Sequence, residues 1–245
     1  MSNALVIIPT YNERENIALI IRAVFSQKKD FNILVVDDNS PDKTSELVTD
    51  LISEFPNRLF LEVRNKKNGL GTAYIYGFKW ALNRDYEYII EMDADFSHNP
   101  NDLIRLYEEC ALNNADVSVG SRYLNEEINV VNWDIKRIVL SYLASKYVRI
   151  ITGIPIKDTT SGFVCYRKNV LEAIELDEIQ FIGYAFQIEM KFKAWKRNFN
   201  IKEISIIFTD RVRGKSKMNG SIISEAIFGV LKMRLTGLPN KKKNA

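Results

Sequence analysis

Short apolar runs of strand length alternate with helical patterns along the first half of the chain. Three of the runs are Leu5-Val6-Ile7-Ile8, Ile33-Leu34-Val35-Val36 and Tyr88-Ile89-Ile90. A strand that is apolar at every position is buried on both faces, which is typical of a parallel sheet covered by helices. The segments between the runs, such as residues 13–25, repeat apolar side chains at helical spacing. We therefore predict an α/β fold with a mostly parallel central sheet flanked by helices.

Polar residues stand at the ends of four predicted strands. These clusters are residues 10–13, 37–40, 93–97 and 121–122. In such sheets, ligands bind outside the carboxyl ends of the strands, so all four clusters belong to one edge. Because four polar clusters occur at the same edge of the sheet, they predict a binding site at that edge more strongly than any one cluster does.

The cluster Glu91-Met92-Asp93-Ala94-Asp95 places two aspartates one residue apart after a buried strand. The two carboxylates repel each other, and burying them costs free energy unless a cation or hydrogen bonds compensate. A hard divalent ion such as Mg²⁺ or Mn²⁺ is the usual partner, and it commonly binds substrate phosphates as well. The alternative is a solvated acidic loop ahead of a helix, because Asn99-Pro100 suits a helix start.

The length and composition favour a single domain. A chain of 245 residues with 46% hydrophobic residues can bury one large α/β core, and no linker-like tract divides it. Cys110 and Cys165 lack metal-ligand spacing, which predicts reduced core cysteines in a cytosolic protein. The chain enters a strand at Ala4 without a signal segment, and no apolar run reaches the roughly 18 residues of a membrane span.

The net charge of +3 conceals a basic C-terminal segment. Residues 211–245 contain nine Lys or Arg and one acid, a net charge of +8, whereas residues 1–210 contain 25 basic and 30 acidic residues, a net charge of −5. This asymmetry predicts an anionic partner near the C-terminus, either phosphate groups or a membrane surface. A solubilising tail is the simpler alternative. Nucleic acid is disfavoured, because the basic residues are not interleaved with stacking aromatic residues.

The second half of the chain has helical patterns that bear on membrane binding. Residues 133–151 are amphipathic, and a last helix is predicted at about Ser221 to Leu235. Charged residues interrupt the apolar face of the last helix. This pattern is typical of a helix that lies on a membrane surface and does not cross the bilayer.

The residues after the first two strands have both binding and structural interpretations. Tyr11 suits stacking on a base or ribose, and Glu13 suits hydrogen bonds from a nucleotide. Asn12 instead fits a cap of the next helix, with Glu15 as its reciprocal partner. The carboxylates of residues 37–38 suit ribose hydroxyls or a base edge, or alternatively an Asx turn into the next helix, which is expected to start at Ser40-Pro41.

Two further features have mainly structural interpretations. The segment Asn68-Gly69-Leu70-Gly71-Thr72 is not a dinucleotide fingerprint, since Tyr74 stands where the third glycine would be. We interpret it as a turn that lets a helix approach the site. His98, the only histidine, is expected to be a surface or helix-start residue.

Seven ordered motifs together resemble glycosyltransferase family 2, and within it the dolichyl-phosphate (polyprenyl-phosphate) mannosyltransferases. The motifs are PTYNERENI, VVDDNSPDKT, NGLGTAYIYG, MDADFSHNP, VGSRY, WDIKR and TDRVRGKSK. A DxD pattern alone is a weak signal, but seven matches in order cover nearly the whole chain. The resemblance implies a GT-A nucleotide-sugar-binding fold, a GDP-mannose donor, a divalent metal (Mg or Mn) and a polyprenyl (dolichyl-type) phosphate acceptor.

The resemblance also implies a donor site, residue by residue. Its nucleotide contacts fall on Pro9, Tyr11, Glu13, Val36 and Asp38, and its metal and diphosphate contacts fall on Asp93, Ala94 and Asp95. Some relatives have an amide two residues after the second aspartate as a further metal ligand. Here that position is Ser97, whose neutral hydroxyl is a weaker ligand.

The basic residues of the site are implied in the same way. The family's phosphate-binding positions fall on Arg122, Arg211 and Lys217, which complete a catalytic set with the two aspartates. Contacts with the acceptor phosphate are implied at Arg122, Arg137 and Ser141.

The implied acceptor determines the expected mechanism. A phosphate monoester is mostly ionised at neutral pH, because its second pKa is about 6. It can therefore attack the anomeric carbon without a dedicated general base. We expect a single displacement with inversion, in which the metal and the basic residues stabilise the departing diphosphate.

Two other functions remain open at this point. The same fold could transfer glucose or an N-acetylhexosamine to a polyprenyl phosphate or a glycan, although the QxxRW signature of polymerising synthases is absent. A nucleotide-sugar-binding scaffold is the non-enzymatic alternative, and it would predict loss of an aspartate or of a late basic residue. Neither is lost.

The resemblance and the charge distribution together predict how the chain is organised at a membrane. We predict a GT-A catalytic domain at residues 1–218 and a basic amphipathic helix and tail at residues 219–245. The protein is expected to be cytoplasmic and peripheral, at the cytoplasmic face of a membrane. Recruitment by a separate membrane subunit is the alternative.

Overall fold

The computed structural model describes residues 2–125, 127–183, 185–211 and 229–235. The strands within these residues are β1 (Ala4–Thr10), β2 (Asn32–Asp37), β3 (Leu59–Val63), β4 (Tyr88–Glu91), β5 (Val117–Ser121), β6 (Val130–Val131), β7 (Val164–Arg167), β8 (Ile201–Ser205) and β9 (Phe208–Thr209). The helices are α1 (Arg14–Phe25), α2 (Thr44–Ile52), α3 (Leu70–Leu82), α4 (Asp102–Ala111), α5 (Ile135–Thr152), α6 (Lys168–Ala173) and α7 (Ala185–Lys196). Residues 229–235 are also helical.

Seven of these strands form one sheet in the order β3-β2-β1-β4-β7-β5-β8. Strand β7 is antiparallel to both of its neighbours, and every other pair in this sheet is parallel. The predicted mostly parallel sheet flanked by helices is therefore confirmed. After β1 the chain adds β2 and β3 on one side and then places β4 on the other. This reversal creates a crevice at the carboxyl ends of β1 and β4, where such sheets bind ligands.

Alternate residues of β1 pack into different hydrophobic cores on the two faces of the sheet. Val6 and Ile8 join the core formed with α1, α2 and α4, whereas Leu5 and Ile7 join the core formed with α3, α6 and α7. All four side chains are fully buried. The continuous apolar run therefore follows from the period of two in a strand that helices cover on both faces.

Helix α3 packs closely on the sheet and on α7 because it has glycines at both contacts. A Cβ atom on Gly77 would lie 2.8 Å from Ile7 in β1, and one on Gly71 would lie 2.7 Å from Phe186 in α7. The Gly71 N–H also donates to the Ile182 carbonyl at 2.9 Å. These contacts allow α3 to lie close to β1 and α7, whereas the role of residues 68–72 at the site stays a prediction.

Helix α2 begins later than the sequence predicts, and helix α1 begins without the cap that Asn12 could have provided. Helix α2 begins at Thr44 and not near Ser40-Pro41, because the Asp37 carboxylate accepts the backbone N–H (2.8 Å) and the hydroxyl (2.6 Å) of Ser40 and closes a loop there. Helix α1 begins at Arg14 without a side-chain cap. The alternative capping role of Asn12 is therefore not realised, and its N–H donates to Ser40 Oγ at 3.0 Å instead.

Helix α5 leaves many aliphatic side chains in contact with solvent. Ile135 is 76% exposed, Leu143 is 53% exposed and Ile150 is 73% exposed. The same helix contains four basic residues and no acid, these being Lys136, Arg137, Lys146 and Arg149. Helix α5 therefore combines an exposed apolar surface with a positive charge.

The described part of the predicted C-terminal helix packs on the domain. In residues 229–235, Val230 and Met233 are buried with Val148 of α5 and Phe192 of α7. Residues 212–228 and 236–245 lie outside the described residues. The division between residues 1–218 and 219–245 therefore stays a prediction.

The cysteine and membrane-span predictions can also be compared with the structure. Cys110 and Cys165 are both buried and free, in agreement with their predicted state. Within the part of the chain that the structure describes, no helix combines the length and the apolar character needed to cross a bilayer.

Candidate active site

The loop after β4 carries Asp93 and Asp95 at the sheet's carboxyl edge. Met92 and Ala94, which alternate with the two aspartates in the sequence, are buried in the core with α1 and α4. The Met92 N–H donates to the Ile7 carbonyl of β1 at 3.1 Å. This bond holds the start of the loop on the sheet.

Asp93 and Asp95 form a pair of like charges in a largely buried site. Burial, and then the charge of Asp95, raise the pKa of Asp93 from 3.8 to about 7, although Arg211 acts in the opposite direction. The Arg211 guanidinium lies 2.9 Å from the Asp95 carboxylate. A divalent cation between the carboxylates would favour the ionised form of both.

Ser97 lies beside Asp95 with its hydroxyl unsatisfied. Its N–H donates to Asp95 Oδ1 at 3.0 Å, but its buried Oγ forms no hydrogen bond within the described part of the chain. A buried hydroxyl without a partner costs roughly 1–3 kcal/mol, and binding to a hard cation would satisfy it. No cluster of three or more His, Cys, Asp or Glu suited to a metal occurs among the described residues. Two carboxylates and one hydroxyl fit a divalent ion that takes its remaining ligands from a bound diphosphate.

His98 is buried, which corrects the expectation that it is a surface or helix-start residue. It is 2% exposed, its ring stacks on Phe163 with the centroids 4.7 Å apart, and it meets the ring of Phe208 edge-on. Its Nδ1 accepts the N–H of Asp93 at 3.2 Å. Burial lowers the pKa of His98 to about 4, so the ring is neutral at neutral pH. His98 thus supports the backbone of the aspartate loop.

Tyr11 and Glu13 lie at the end of β1, on the side predicted to bind the nucleotide. Lys67 Nζ lies 4.5 Å from the centroid of the Tyr11 ring. The Glu13 carboxylate accepts a bond of 2.9 Å from the Asn16 amide, and its backbone N–H donates to Thr44 Oγ1 at 3.1 Å. Both side chains are thus held at the crevice, and their contacts with a nucleotide stay a prediction.

Asp38 is held by a basic residue that the sequence did not single out. The Arg64 guanidinium lies 2.5 Å from the Asp38 carboxylate and donates to Thr72 Oγ1 at 2.8 Å. Burial raises the pKa of Asp38, and Arg64 opposes that effect.

The other two predicted nucleotide contacts, Pro9 and Val36, lie in neighbouring strands. Pro9 is opposite Val36 in the β1–β2 register. Val36 is fully buried, so a nucleotide could contact it only if its neighbours moved.

Arg122 is engaged in a buried ion pair with Asp158. Its Nε and Nη2 each donate to an Asp158 oxygen at 2.7 Å, and its backbone N–H donates to the same carboxylate at 3.0 Å. Nη2 also donates to Thr160 Oγ1 at 2.8 Å. Arg122 lowers the pKa of Asp158 despite complete burial. A phosphate contact of Arg122 stays a prediction, and it would have to coexist with this pair.

Two of the three predicted acceptor contacts, Arg137 and Ser141, lie on α5, next to Asp210. Arg137 pairs with Asp210 at 2.8 Å and lies 4.1 Å from the centroid of a Trp133 ring. The Ser141 hydroxyl accepts a bond of 2.7 Å from Tyr123. Because Asp210 precedes Arg211, one dipeptide contacts both the aspartate loop and α5. Lys217 lies outside the described residues.

An open cavity of about 630 Å³ adjoins the aspartate loop. Its lining includes Asp95 and Asp210 together with the apolar side chains of Leu19, Phe96 and Ile207. The cavity therefore connects the proposed metal ligand with the residue that pairs with Arg137.

Several polar residues that support the site were missed from the sequence. Lys191 of α7 is fully buried and donates to the backbone carbonyl oxygens of Thr159 (3.3 Å) and Ser161 (2.6 Å). It thereby holds the loop that presents Asp158 to Arg122. The one available signal was the polar run of residues 158–161 between apolar segments. Arg64 had no such signal.

The comparisons with known proteins identify the chain as a glycosyltransferase. Residues 5–175 match the model of "Glycosyl transferase family 2", so the chain belongs to this family. Its relatives include the polyprenol monophosphomannose synthase of Mycolicibacterium smegmatis, which is 45% identical over 95% of this chain and 87% of that protein. Another is the undecaprenyl-phosphate mannosyltransferase of Micrococcus luteus, 42% identical over 94% of this chain and 93% of that protein.

Solved structures of distant relatives show the same fold. Glucosyl-3-phosphoglycerate synthase of Mycobacterium tuberculosis, in complex with Mn²⁺ and UDP, has a TM-score of 0.66 at 15% identity, over 97% of this chain and 81% of that chain. A mannosyltransferase of Pyrobaculum calidifontis, in complex with GDP-Man and Mn²⁺, has a TM-score of 0.59 at 15% identity, over 87% of this chain and 58% of that chain. The GT-A fold class predicted from the sequence is therefore confirmed.

Proposed function

We propose that this protein transfers mannose from GDP-mannose to a polyprenyl phosphate, with inversion at the anomeric carbon. One structural observation carries the proposal: two aspartates share a buried site at the carboxyl edge of the sheet, and Arg211 pairs with one of them. The names of the relatives at 45% and 42% identity support mannose as the sugar and a polyprenyl phosphate as the acceptor. The likeness to a GDP-Man complex supports the choice of nucleotide.

Asp93, Asp95 and Ser97 would hold the divalent metal, either Mg²⁺ or Mn²⁺. When bound, the metal would neutralise negative charge on the donor diphosphate. Arg211 pairs with Asp95 in the structure, so it lies beside the proposed diphosphate site and can add a positive charge there. Tyr11, Glu13 and Asp38 would bind the nucleoside at the end of β1 and β2, and Lys217 would extend the basic cluster.

The acceptor phosphate would approach from the side of α5. Arg137 and Ser141 lie on this helix, and Arg137 is half-buried with its guanidinium on Asp210. A phosphate dianion is a competent nucleophile by itself, so the protein has only to bring two anions together and orient them. The four basic residues of α5 and the absence of acids within it favour that approach.

The proposed acceptor implies that the protein works at a membrane surface, which we place at the cytoplasmic face. Helix α5 supports this part of the proposal, because it exposes Ile135, Leu143 and Ile150 alongside its basic residues. An apolar, basic helix of this kind suits the interface of an anionic bilayer. The described C-terminal residues contribute less, since Val230 and Met233 face the domain core. Recruitment by a membrane subunit is the competing arrangement.

A transfer assay with matched donors tests the proposal. Purified protein is offered radiolabelled GDP-mannose, UDP-glucose or UDP-N-acetylglucosamine with a short-chain polyprenyl phosphate, with or without Mn²⁺ or Mg²⁺. We expect product from GDP-mannose alone, and exhaustive chelation should abolish it. Product from another donor would identify a different sugar transferase. Nucleotide binding without transfer to any acceptor would favour a scaffold, and transfer that survives chelation would refute the metal site.

A further inference from the structure

Tyr74 of α3 reaches the aspartate loop from the interior of the protein. It is fully buried, and its hydroxyl group lies 3.4 Å from Asp93 Oδ1. The bond is long but within hydrogen-bonding distance, and the phenol O–H donates to the carboxylate oxygen. The residue occupies the position at which a dinucleotide fingerprint would have its third glycine.

The packing of α3 determines where this hydroxyl lies. The Tyr74 ring is parallel to Phe186 of α7 within 4°, with the centroids 6.1 Å apart. One turn on either side, Gly71 contacts Phe186 and Gly77 contacts Ile7, so closely that neither position has room for a Cβ atom. The helix therefore cannot move toward either neighbour, and the phenol is kept beside Asp93.

A bond to one carboxylate oxygen restrains rotation of the whole carboxylate group. The other oxygen then keeps one orientation, which lowers the entropy lost when a cation binds. His98 already fixes the backbone of Asp93 through its N–H, so Tyr74 would complete the restraint at the side chain. The two contacts act on different parts of the same residue.

We propose that Tyr74 is a positioning residue that orients the Asp93 carboxylate for the divalent metal of the donor complex. This inference rests on the proposed function, which assigns Asp93 to the metal. Residues that hydrogen-bond to a metal ligand commonly change metal affinity by about 10- to 100-fold when they are replaced. Because the contact is long, we expect an effect near the lower limit, about tenfold.

The test measures metal binding and nucleotide binding separately by calorimetry. Mn²⁺ is titrated into wild type, Tyr74→Phe and Tyr166→Phe in the presence of saturating GDP, and GDP is titrated into each without metal. Tyr166→Phe is the matched control, because Tyr166 is also fully buried and its hydroxyl forms no hydrogen bond within the described residues. Thermal unfolding of all three proteins verifies that each is folded.

The expected result is a roughly tenfold weaker affinity for Mn²⁺ in Tyr74→Phe, with unchanged metal-free affinity for GDP and wild-type behaviour in Tyr166→Phe. The electron paramagnetic resonance spectrum of bound Mn²⁺ should broaden in Tyr74→Phe alone. Equal Mn²⁺ affinity in wild type and Tyr74→Phe would overturn the positioning role and leave the proposed function intact. A parallel loss of metal-free GDP affinity would also overturn it, since that indicates a general packing defect. If wild type itself binds neither Mn²⁺ nor Mg²⁺ with GDP, both proposals fail.

Discussion

The two sides of the candidate site differ in how firmly their charged side chains are held. Around the sheet, Arg122 and Asp158 form a buried pair whose side chains are 9% and 0% exposed. On the side of α5, Arg137 and Asp210 form a pair whose side chains are 34% and 30% exposed. The sheet side is therefore preformed, whereas the α5 side can exchange a carboxylate partner for a phosphate at a smaller loss.

The packing of the two regions follows the same division. Strands β1, β2 and β4 are covered by helices on both faces, and their apolar residues are almost all fully buried. Helix α5 buries only Ser145, Val148 and Thr152. A nucleotide is a rigid, soluble ligand that a preformed crevice can bind. A lipid-linked phosphate is anchored in a bilayer by its hydrocarbon tail. The protein surface that binds it therefore has to contact the membrane, which favours apolar and basic side chains.

The largest expected effect lies on the sheet side, at the aspartate pair. Asp93→Asn and Asp95→Asn should each lower kcat/KM by about 10³-fold, because each removes a proposed ligand of the metal that would balance the diphosphate charge. The fold should persist, since neutralising one aspartate relieves repulsion. Steady-state transfer assays and thermal unfolding measure both effects. Asp177→Asn, at an exposed residue paired with Lys79, is the control. Transfer within tenfold of wild type in either variant would contradict the assignment.

Replacing basic residues should slow turnover on the sheet side and weaken acceptor binding on the α5 side. Arg211→Ala and Lys217→Ala should each slow transfer about 100-fold at saturating substrates, because each removes a proposed charge partner of the phosphate groups. Arg137→Ala should instead raise the KM for the acceptor about tenfold, with the KM for the donor unchanged. Near wild-type turnover in both Arg211→Ala and Lys217→Ala would place that basic cluster at the surface and outside the chemistry.

Unfolding experiments compare the two ion pairs directly. Asp158→Asn should lower the free energy of unfolding by about 3 kcal/mol at pH 7, because it removes the negative charge that balances the buried Arg122 guanidinium. Asp210→Asn should lower it by less than about 1 kcal/mol, since that pair is partly solvated. Urea denaturation of wild type and both variants measures these differences. Equal losses for the two variants would remove the contrast between the two sides.

The stability that Asp158 contributes to the folded protein should decrease at acidic pH. Arg122 lowers the pKa of Asp158 below its ordinary value of 3.8, so the ionised form is favoured in the folded state. Its contribution is therefore complete above about pH 4 and is lost as the pH falls through the lowered folded-state pKa. The difference between wild type and Asp158→Asn should be equal at pH 7 and pH 5 and smaller at pH 3. A difference that grows on acidification would contradict this ion pair.

The smallest effect concerns the membrane surface of α5. The double variant Ile135→Ser, Leu143→Ser should bind anionic liposomes about tenfold more weakly, because two exposed aliphatic side chains no longer enter the interface. Wild-type binding should weaken steeply as salt rises, and transfer to a short-chain acceptor in solution should be unchanged. Leu112→Ser, at a residue of 70% exposure after α4, is the matched control. Salt-insensitive or absent liposome binding by wild type would favour a recruiting membrane subunit.

The predictions from sequence succeeded where the signal was local. The sheet, its mostly parallel strands and the position of the aspartate pair after β4 all follow from runs of a few residues. The predicted start of α2 at Ser40-Pro41 was wrong. The Asp37 carboxylate accepts hydrogen bonds from Ser40 and holds it in a loop, so the helix begins at Thr44. The environment of His98 was wrong, because its ring is buried by Phe163, which is distant in the sequence.

The sequence by itself determined the class of fold and the edge of the sheet at which the candidate site lies. Strand and helix periods are properties of neighbouring residues, and burial on both faces follows from an uninterrupted apolar run. Only the tertiary structure decided which charges meet. Arg122 joins Asp158 across 36 positions and Arg64 joins Asp38 across 26, so neither pairing leaves a local pattern. The exposed face of α5 was likewise decided by where that helix packs, because an amphipathic pattern does not reveal whether protein or lipid covers its apolar side.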